Sequence, residues 1–383
     1  MPKPLWVWAA TLAAAAGLAV PAANASQHMY IGIYDEGATF FDDAKTTFDA
    51  YRSLQVQVIR VNLYWGGKLG VAQSRPFDAA DPRDAGYNWA LYDRVVQYAG
   101  AYGLKVLFSI TGTPRWANGG QSSNRPPKNF ADLRNFAYAA AARYSGQYTD
   151  NNGRTLPAVR LWAAWNEPNN PVFLRPQFVK RGGKWVIQSA IDYAKICNAV
   201  YAGVHQTMYR NEKVACGVTA PRGNNNPRSS RPSVSPVAFL TAAKKAGMKT
   251  FDAYAHNPYY GSPRETPTTR PGTRNGSAPT AITLSNINVL LDAIGRLYGP
   301  RHLWITEYGY QTRPPDTVFG VSWSLQARYL TQAFGIARTN PRIDMMIWFL
   351  LKDQPDLSGW QSGLMTVSGQ RKPAFAAFER LRR

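Results

Sequence analysis

Eight short apolar runs rich in Val, Ile, Tyr and Trp recur along this chain of 383 residues, separated by stretches with helical spacing. The runs are 29–36, 56–65, 104–112, 159–167, 213–220, 250–259, 301–309 and 343–351. Between them lie stretches such as 89–103 and 130–144, apolar at three- and four-residue intervals as an amphipathic helix requires. Strands that alternate with helices pair in parallel, because a tight hairpin leaves no room for a helix between neighbours. The count of eight predicts an α/β chain folded as a single (β/α)8 TIM barrel. A doubly wound open sheet is the rival, but no Gly-rich phosphate turn follows the first run. The Pro/Gly/Asn/Arg-rich stretches 220–236 and 259–281 each follow a strand-like run and read as long loops. No Ser/Pro-rich linker or repeat divides residues 26–383, so they are expected to form one domain.

Residues 1–25 are set apart. Lys3 gives a positive start, Leu5 to Val20 is apolar, and Ala23-Asn24-Ala25 places small residues at a cleavage site. This pattern predicts a secretory signal peptide, and hence a secreted protein that works outside the cell or at its wall. No later run reaches the ~18 uninterrupted apolar residues of a membrane span, so no stable membrane insertion is expected.

Glutamate is scarce, occurring only at positions 36, 167, 212, 265, 307 and 379. Glu167 ends the fourth run and Glu307 ends the seventh. In a TIM barrel the C-terminal ends of the strands form the catalytic face. Two carboxyl groups there suit glycoside hydrolysis, in which one protonates the leaving oxygen and the other attacks the sugar or activates water. Glu36, which ends the first run beside Asp35, is the rival carboxyl group; Glu212 and Glu379 read as solvated.

Trp165-Asn166-Glu167-Pro168 resembles the strand-4 acid/base motif of the retaining glycoside hydrolases of clan A, which include families 5 and 39. Thr306-Glu307-Tyr308-Gly309 resembles their strand-7 nucleophile motif. The resemblance covers nearly all of residues 26–383 and implies a retaining glycosidase with Glu167 as acid/base and Glu307 as nucleophile. It further implies that Asn166 binds the sugar 2-hydroxyl and that Arg60 orients the nucleophile. His256 and Tyr259 would stand beside that nucleophile, and Trp348 would floor the subsite of the ring being cleaved. The stretch 112–118, which contains Trp116, resembles the strand-3 turn of family 39. Two departures are visible: His256 and Tyr259 lie three apart rather than two, and the turn after the third strand lacks the histidine common in family 5. The missing histidine makes the resemblance that of a family 39-like or unclassified member rather than of family 5.

The formal charge of +21 suggests anionic company, such as cell-wall polymers, acidic glycans or nucleic acid. No zinc-finger spacing, RNP-like aromatic pattern or basic helix supports nucleic acid. The cations gather in the loops after strands, with Arg115, Arg125 and Lys128 in 112–129 and Arg175, Lys180, Arg181 and Lys184 in 168–187. Arg222, Arg228 and Arg231 follow in 220–236, and Arg264, Arg270 and Arg274 in 259–281. Taken with the glycosidase resemblance, this pattern implies a poly- or oligosaccharide that is anionic or sits in an anionic matrix; the chain is expected to act as a monomer. Trp65, Trp116, Trp185 and Trp360 are either sugar-stacking platforms or packing residues.

The histidines 28, 205, 256 and 302 are scattered without a ligand pair, so neither metal nor other cofactor is expected. No Gly-x-Ser-x-Gly elbow occurs. Cys197 in a helical pattern and Cys216 in the following strand are expected to form a disulfide. Two readings stand beside hydrolysis: a carbohydrate-binding barrel or wall-associated adhesin without turnover, against which the intact glutamate pair with Asn166 and Arg60 speaks, and a transglycosidase sharing the same residues.

Overall fold

Each of the eight apolar runs forms a strand, shorter than the run that foretold it. In the computed structural model they are β1 (Tyr30–Tyr34), β2 (Val58–Tyr64), β3 (Lys105–Thr111), β4 (Leu161–Ala164), β5 (Lys213–Thr219), β6 (Ala253–His256), β7 (His302–Tyr308) and β8 (Ile343–Phe349). The structure describes residues 28–150, 152–209, 211–272 and 280–382. The expected signal peptide at 1–25 and Arg274 lie outside the described residues. Every strand pairs in parallel with its neighbours in chain order, and β8 closes on β1. The outer ring is α1 (Ala44–Ser53), α2 (Ala90–Ala101), α3 (Phe130–Arg143), α4 (Gln188–His205), α5 (Pro236–Lys245), α6 (Ile287–Tyr298), α7 (Trp323–Arg338) and α8 (Pro373–Glu379). The expected (β/α)8 barrel is what the chain forms.

Alternation along each strand sorts side chains between two cores. Val58, Leu107, Leu161, Ala163, Trp304, Met345 and Ile347 pack in one cluster inside the barrel. Ile59, Val61, Phe108, Trp162, Ile305, Met346 and Trp348 pack in the larger layer between strands and helices. Arg60 and Asn62 share the Val58 face of β2, and Ser109 shares the Leu107 face of β3. Polar groups thus line the inner face toward the strands' C-terminal ends. At Gly32 in β1 an added Cβ would lie 2.6 Å from the Val58 carbonyl oxygen, so only glycine lets the two strands approach there.

The alternation breaks where β7 ends. Its pairing with β8 passes from Ile305↔Met346 to Tyr308↔Trp348, which gives β7 one residue more than its partner. Such a bulge re-aims side chains. Adjacent Thr306 and Glu307 consequently both reach inward, to Asn257 and to Arg60.

The Cys197–Cys216 disulfide joins α4 to β5, with Cα atoms 5.8 Å apart. A hairpin of Phe178–Arg181 with Lys184–Ile187 stands between β4 and α4 and was not anticipated. Its signal was present: Gly182-Gly183, both at positive φ, is a two-residue turn between strand-like segments. Among the described residues no helix is long and apolar enough to cross a membrane.

Candidate active site

The two ends of the barrel handle carboxyl groups differently. A cavity of about 1080 Å³ at the N-terminal end is lined by Tyr30, Lys105, Arg160, Arg301 and others. Each acid in that wall has its base, in the pairs His205–Asp252, His302–Asp344 and Arg160–Glu212. The C-terminal end carries Glu167 and Glu307, and only Glu307 has a cation beside it.

Glu307 is 7% exposed. Arg60 Nη1 donates to its Oε1 at 2.6 Å, and the Tyr259 hydroxyl donates to Oε2 at 3.1 Å. Arg60 is fully buried and spends all five N–H groups, on Ser109 Oγ, the Thr306 carbonyl, Glu307, Asn62 Oδ1 and Asn166 Oδ1. Its guanidinium also lies 4.6 Å from the centre of the Tyr34 ring. A buried arginine so completely engaged is a fixed positive wall behind the carboxylate.

Glu167 is delivered by an unusual turn. Trp165 and Glu167 both take positive φ, at 71° and 39°, a conformation that costs a non-glycine residue and persists only where neighbours enforce it. Those neighbours are the Phe173 carbonyl, which accepts from the Trp165 indole, and the Val218 carbonyl, which accepts from the Glu167 amide. The Glu167 carboxyl group receives Asn170 Nδ2 at 3.0 Å and Asn257 Nδ2 at 3.2 Å. Burial and the charge of Glu307 raise it to about 7, against the lowering pull of these amides and of Arg60. Asn257 Oδ1 accepts from Thr306 Oγ1 at 2.7 Å, so one amide ties the Glu167 end to the β7 end. Asn166 points its carbonyl oxygen at Arg60 Nη2, at 2.8 Å, which leaves its amide N–H groups for the cleft.

Glu167, Glu307, Asn166, Arg60 and Tyr259 therefore meet in one constellation. Tyr259 does so despite its offset from His256. His256 and Trp348, expected in the site, lie elsewhere. His256 is fully buried, with Nδ1 on Thr219 Oγ1 at 2.8 Å and Nε2 on the Ile282 carbonyl at 3.0 Å. Burial lowers it to about 4, so it is a neutral prop. Trp348 faces the helix layer, fully buried, and its indole donates to the Ser362 carbonyl. Its neighbour Phe349 takes the inward place, 5.2 Å from Tyr34 and 5.4 Å from Trp360. Trp360, half-buried and 5.1 Å from Tyr259, completes an aromatic wall beside the constellation. Trp116 is half-buried with its indole on the Ala72 carbonyl, while Trp65 is fully buried against Trp116 and Phe136. Trp185 stands exposed on the hairpin.

Sequence reasoning missed Asn257, Asn62 and Ser109. The last two were within reach, since period-two spacing from Arg60 marks Asn62 and pairing with β3 marks Ser109. In the rim, Arg222 turns inward to Glu265 and the Tyr259 carbonyl. Arg115, Lys128, Lys180, Lys184, Arg228 and Arg231 are exposed. Their loops form one rim through Arg175 N to the Asn124 carbonyl and Asn169 Nδ2 to the Val234 carbonyl. Among the described residues no group of three or more His, Cys, Asp or Glu is placed to hold a metal ion.

No family model matches the sequence, and no curated protein matches it. Among solved structures, the chain is similar to a family 39 glycoside hydrolase from Bacteroides cellulosilyticus at 19% identity and a TM-score of 0.62. That match covers 92% of this chain but 63% of the other, so this chain spans less than two thirds of its length. A glucosidase from Croceicoccus marinus matches at 16% identity over 93% of this chain and 67% of its own, with a TM-score of 0.65. A fungal β-1,4-galactanase matches at 14% identity over 92% of this chain and 99% of its own, with a TM-score of 0.59. At these identities the likeness shows a shared fold.

Proposed function

We propose that this protein is a secreted, retaining glycoside hydrolase that cleaves O-glycosidic bonds of a poly- or oligosaccharide by double displacement, with no cofactor. One observation carries the reading: two carboxyl groups at the ends of β4 and β7, one against a buried arginine and the other held by amides and raised to about 7. In the first step Glu307 attacks the anomeric carbon, and the bond to the leaving oxygen breaks as Glu167 gives that oxygen its proton. In the second step water attacks the glycosyl-enzyme, Glu167 takes the water's proton, and the bond to Glu307 breaks. An acid with a pKa near 7 suits both halves, since it must give and take a proton at similar pH. Retention by this route places the two carboxyl groups roughly 5–5.5 Å apart. Asn166 donates to the 2-hydroxyl, and Trp360 with Phe349 offers the ring an aromatic wall. The exposed cations of the rim support an anionic polymer, or one in an anionic matrix, since exposed arginines and lysines attract carboxylate and phosphate groups.

A screen of glycans and aryl glycosides, with the Glu307→Ala protein as blank, tests the proposal. Turnover by the wild-type protein alone is expected; no turnover on any substrate would overturn the hydrolase reading.

A further inference from the structure

Glu36 also stands at the catalytic mouth, and the chemistry above gives it no task. It opens the short helix Glu36–Phe41 directly after β1. Its position is fixed by Asp35, whose side chain accepts from the amides of Ala38, Leu351 and Lys352 and so ties this turn to the segment after β8. Glu36 Oε1 accepts from the Asn62 amide at 3.0 Å, and Oε2 accepts from the Tyr64 hydroxyl at 2.9 Å. Asn62 in turn donates to the Tyr34 hydroxyl at 2.6 Å and accepts from Arg60 at 3.5 Å. Asn62 thus touches both groups: its side chain meets Arg60, which holds Glu307, and its backbone N–H holds Glu36.

Three features set Glu36 apart from a structural acid. It forms no ion pair among the described residues. It is half-buried, whereas Asp35 beside it is buried. A carboxylate offers about four acceptor directions, and the protein fills two. Burial, with the charge of Glu307, raises it to about 7, opposed by the Tyr64 and Asn62 hydrogen bonds and by Arg60. Such a group gains from further hydrogen-bond donors and is penalised by another negative charge.

We infer that Glu36 is a specificity-determining residue, accepting two neighbouring hydroxyl groups of an uncharged sugar ring held over Glu307 and barring a ring that carries a carboxylate there. The inference rests on the glycosidase reading for its substrate. It narrows that reading, because any acidic groups of the polymer then lie against the outer rim rather than on the ring being cleaved.

The test compares kcat/KM on a neutral 4-nitrophenyl hexoside with that on the matching hexuronide. The wild-type protein should prefer the neutral ring by at least roughly 100-fold at pH 8. Glu36→Gln should lower kcat/KM on the neutral ring roughly 10–100-fold, the scale of a charge-assisted hydrogen bond, and shrink the preference at least tenfold. The groups facing Glu36 are Arg60 and Tyr64 on β2, Tyr34 on β1, Tyr92 on α2 and Glu307 on β7. The wild-type preference should also narrow as pH falls through about 7 and Glu36 takes a proton. Glu167 titrates in the same range and its charge also faces the ring. The narrowing therefore supports the inference only if it is lost in Glu36→Gln, or in Glu36→Ala where that variant does not fold. Its persistence there overturns the inference. A Glu36 that only braces Tyr64 and Asn62 would lower the melting temperature of the variant and leave the ratio unchanged, which overturns the inference. If no aryl glycoside turns over, calorimetric binding of the free neutral sugar and its uronic acid to both proteins decides. A Glu36-dependent preference would then stand without the hydrolase reading, and no preference in the wild-type protein would overturn the inference.

Discussion

The end of β4 and the end of β7 present one glutamate each to the same cleft, in opposite surroundings. Around Glu307 stand a guanidinium at 2.6 Å and a phenol hydroxyl at 3.1 Å. Around Glu167 the amides of Asn170 and Asn257 donate, with no ion pair among the described residues, and the nearby charge of Glu307 opposes a second negative charge. In the proposed mechanism this contrast divides the work: the carboxyl group beside the guanidinium attacks, and the one poised near neutrality moves protons. Placement in the barrel makes both available, and second partners tell them apart.

The largest effect should separate the two ends by leaving group. Glu307→Gln is expected to lose at least about 10⁴-fold in kcat on every substrate, since no bond to the sugar can form. Glu167→Gln should lose roughly 10²–10⁴-fold in kcat/KM on substrates with alkoxide leaving groups, the usual scale of general acid catalysis, and far less in kcat/KM on 4-nitrophenyl glycosides, whose leaving group departs without a proton. On the latter kcat still falls, because the second step lacks its base. The fall in wild-type activity as pH rises through about 7 should vanish in that variant. Equal losses for both variants across both leaving groups, read by steady-state kinetics, would break the division.

Removing the difference in charge comes next. Arg60→Lys keeps the positive charge but cannot span Glu307, Asn166, Asn62, Ser109 and the Thr306 carbonyl at once. A loss of roughly 10–100-fold in kcat/KM is expected, the scale of a disrupted buried charged hydrogen bond.

A thermal measurement sharpens the Glu167 side. Its folded pKa of about 7 lies above the ordinary 4.5, so between those values the folded state binds more protons than the unfolded state. Stability must therefore fall as pH rises through that window, by at most about 3 kcal/mol for this group. Glu167→Gln removes the penalty, so its melting temperature should exceed that of the wild-type protein by more at pH 8 than at pH 4. The same gain at both pH values would show that Glu167 is not raised. The smallest effect concerns the rim: KM on an anionic polymer should rise several-fold between 0.15 M and 1 M salt while kcat holds.

The barrel was legible because strand–helix alternation is a local signal that repeats eight times, and both glutamates were legible because they end strands. Face assignment failed where local signals mislead. Trp348 and Phe349 are equally apolar, and only the pairing of β8 with β1 and β7 decides that Phe349 turns inward. His256 ends β6 beside a second register shift, between Gly217 and Thr219 of β5, and meets Thr219 instead of the cleft. Asn257 partners Glu167 across ninety residues of chain, a contact that no spacing rule exposes. The disulfide was legible because α4 packs on the strand that follows it.

The division of labour between the two ends stands or falls on stereochemistry. Proton NMR of the first-formed sugar, recorded before mutarotation, reports the anomeric configuration of the product. Attack by Glu307 followed by attack of water predicts the same configuration as the substrate. An inverted product would mean that water attacks directly and that Glu307 never bonds to the sugar, contradicting the account.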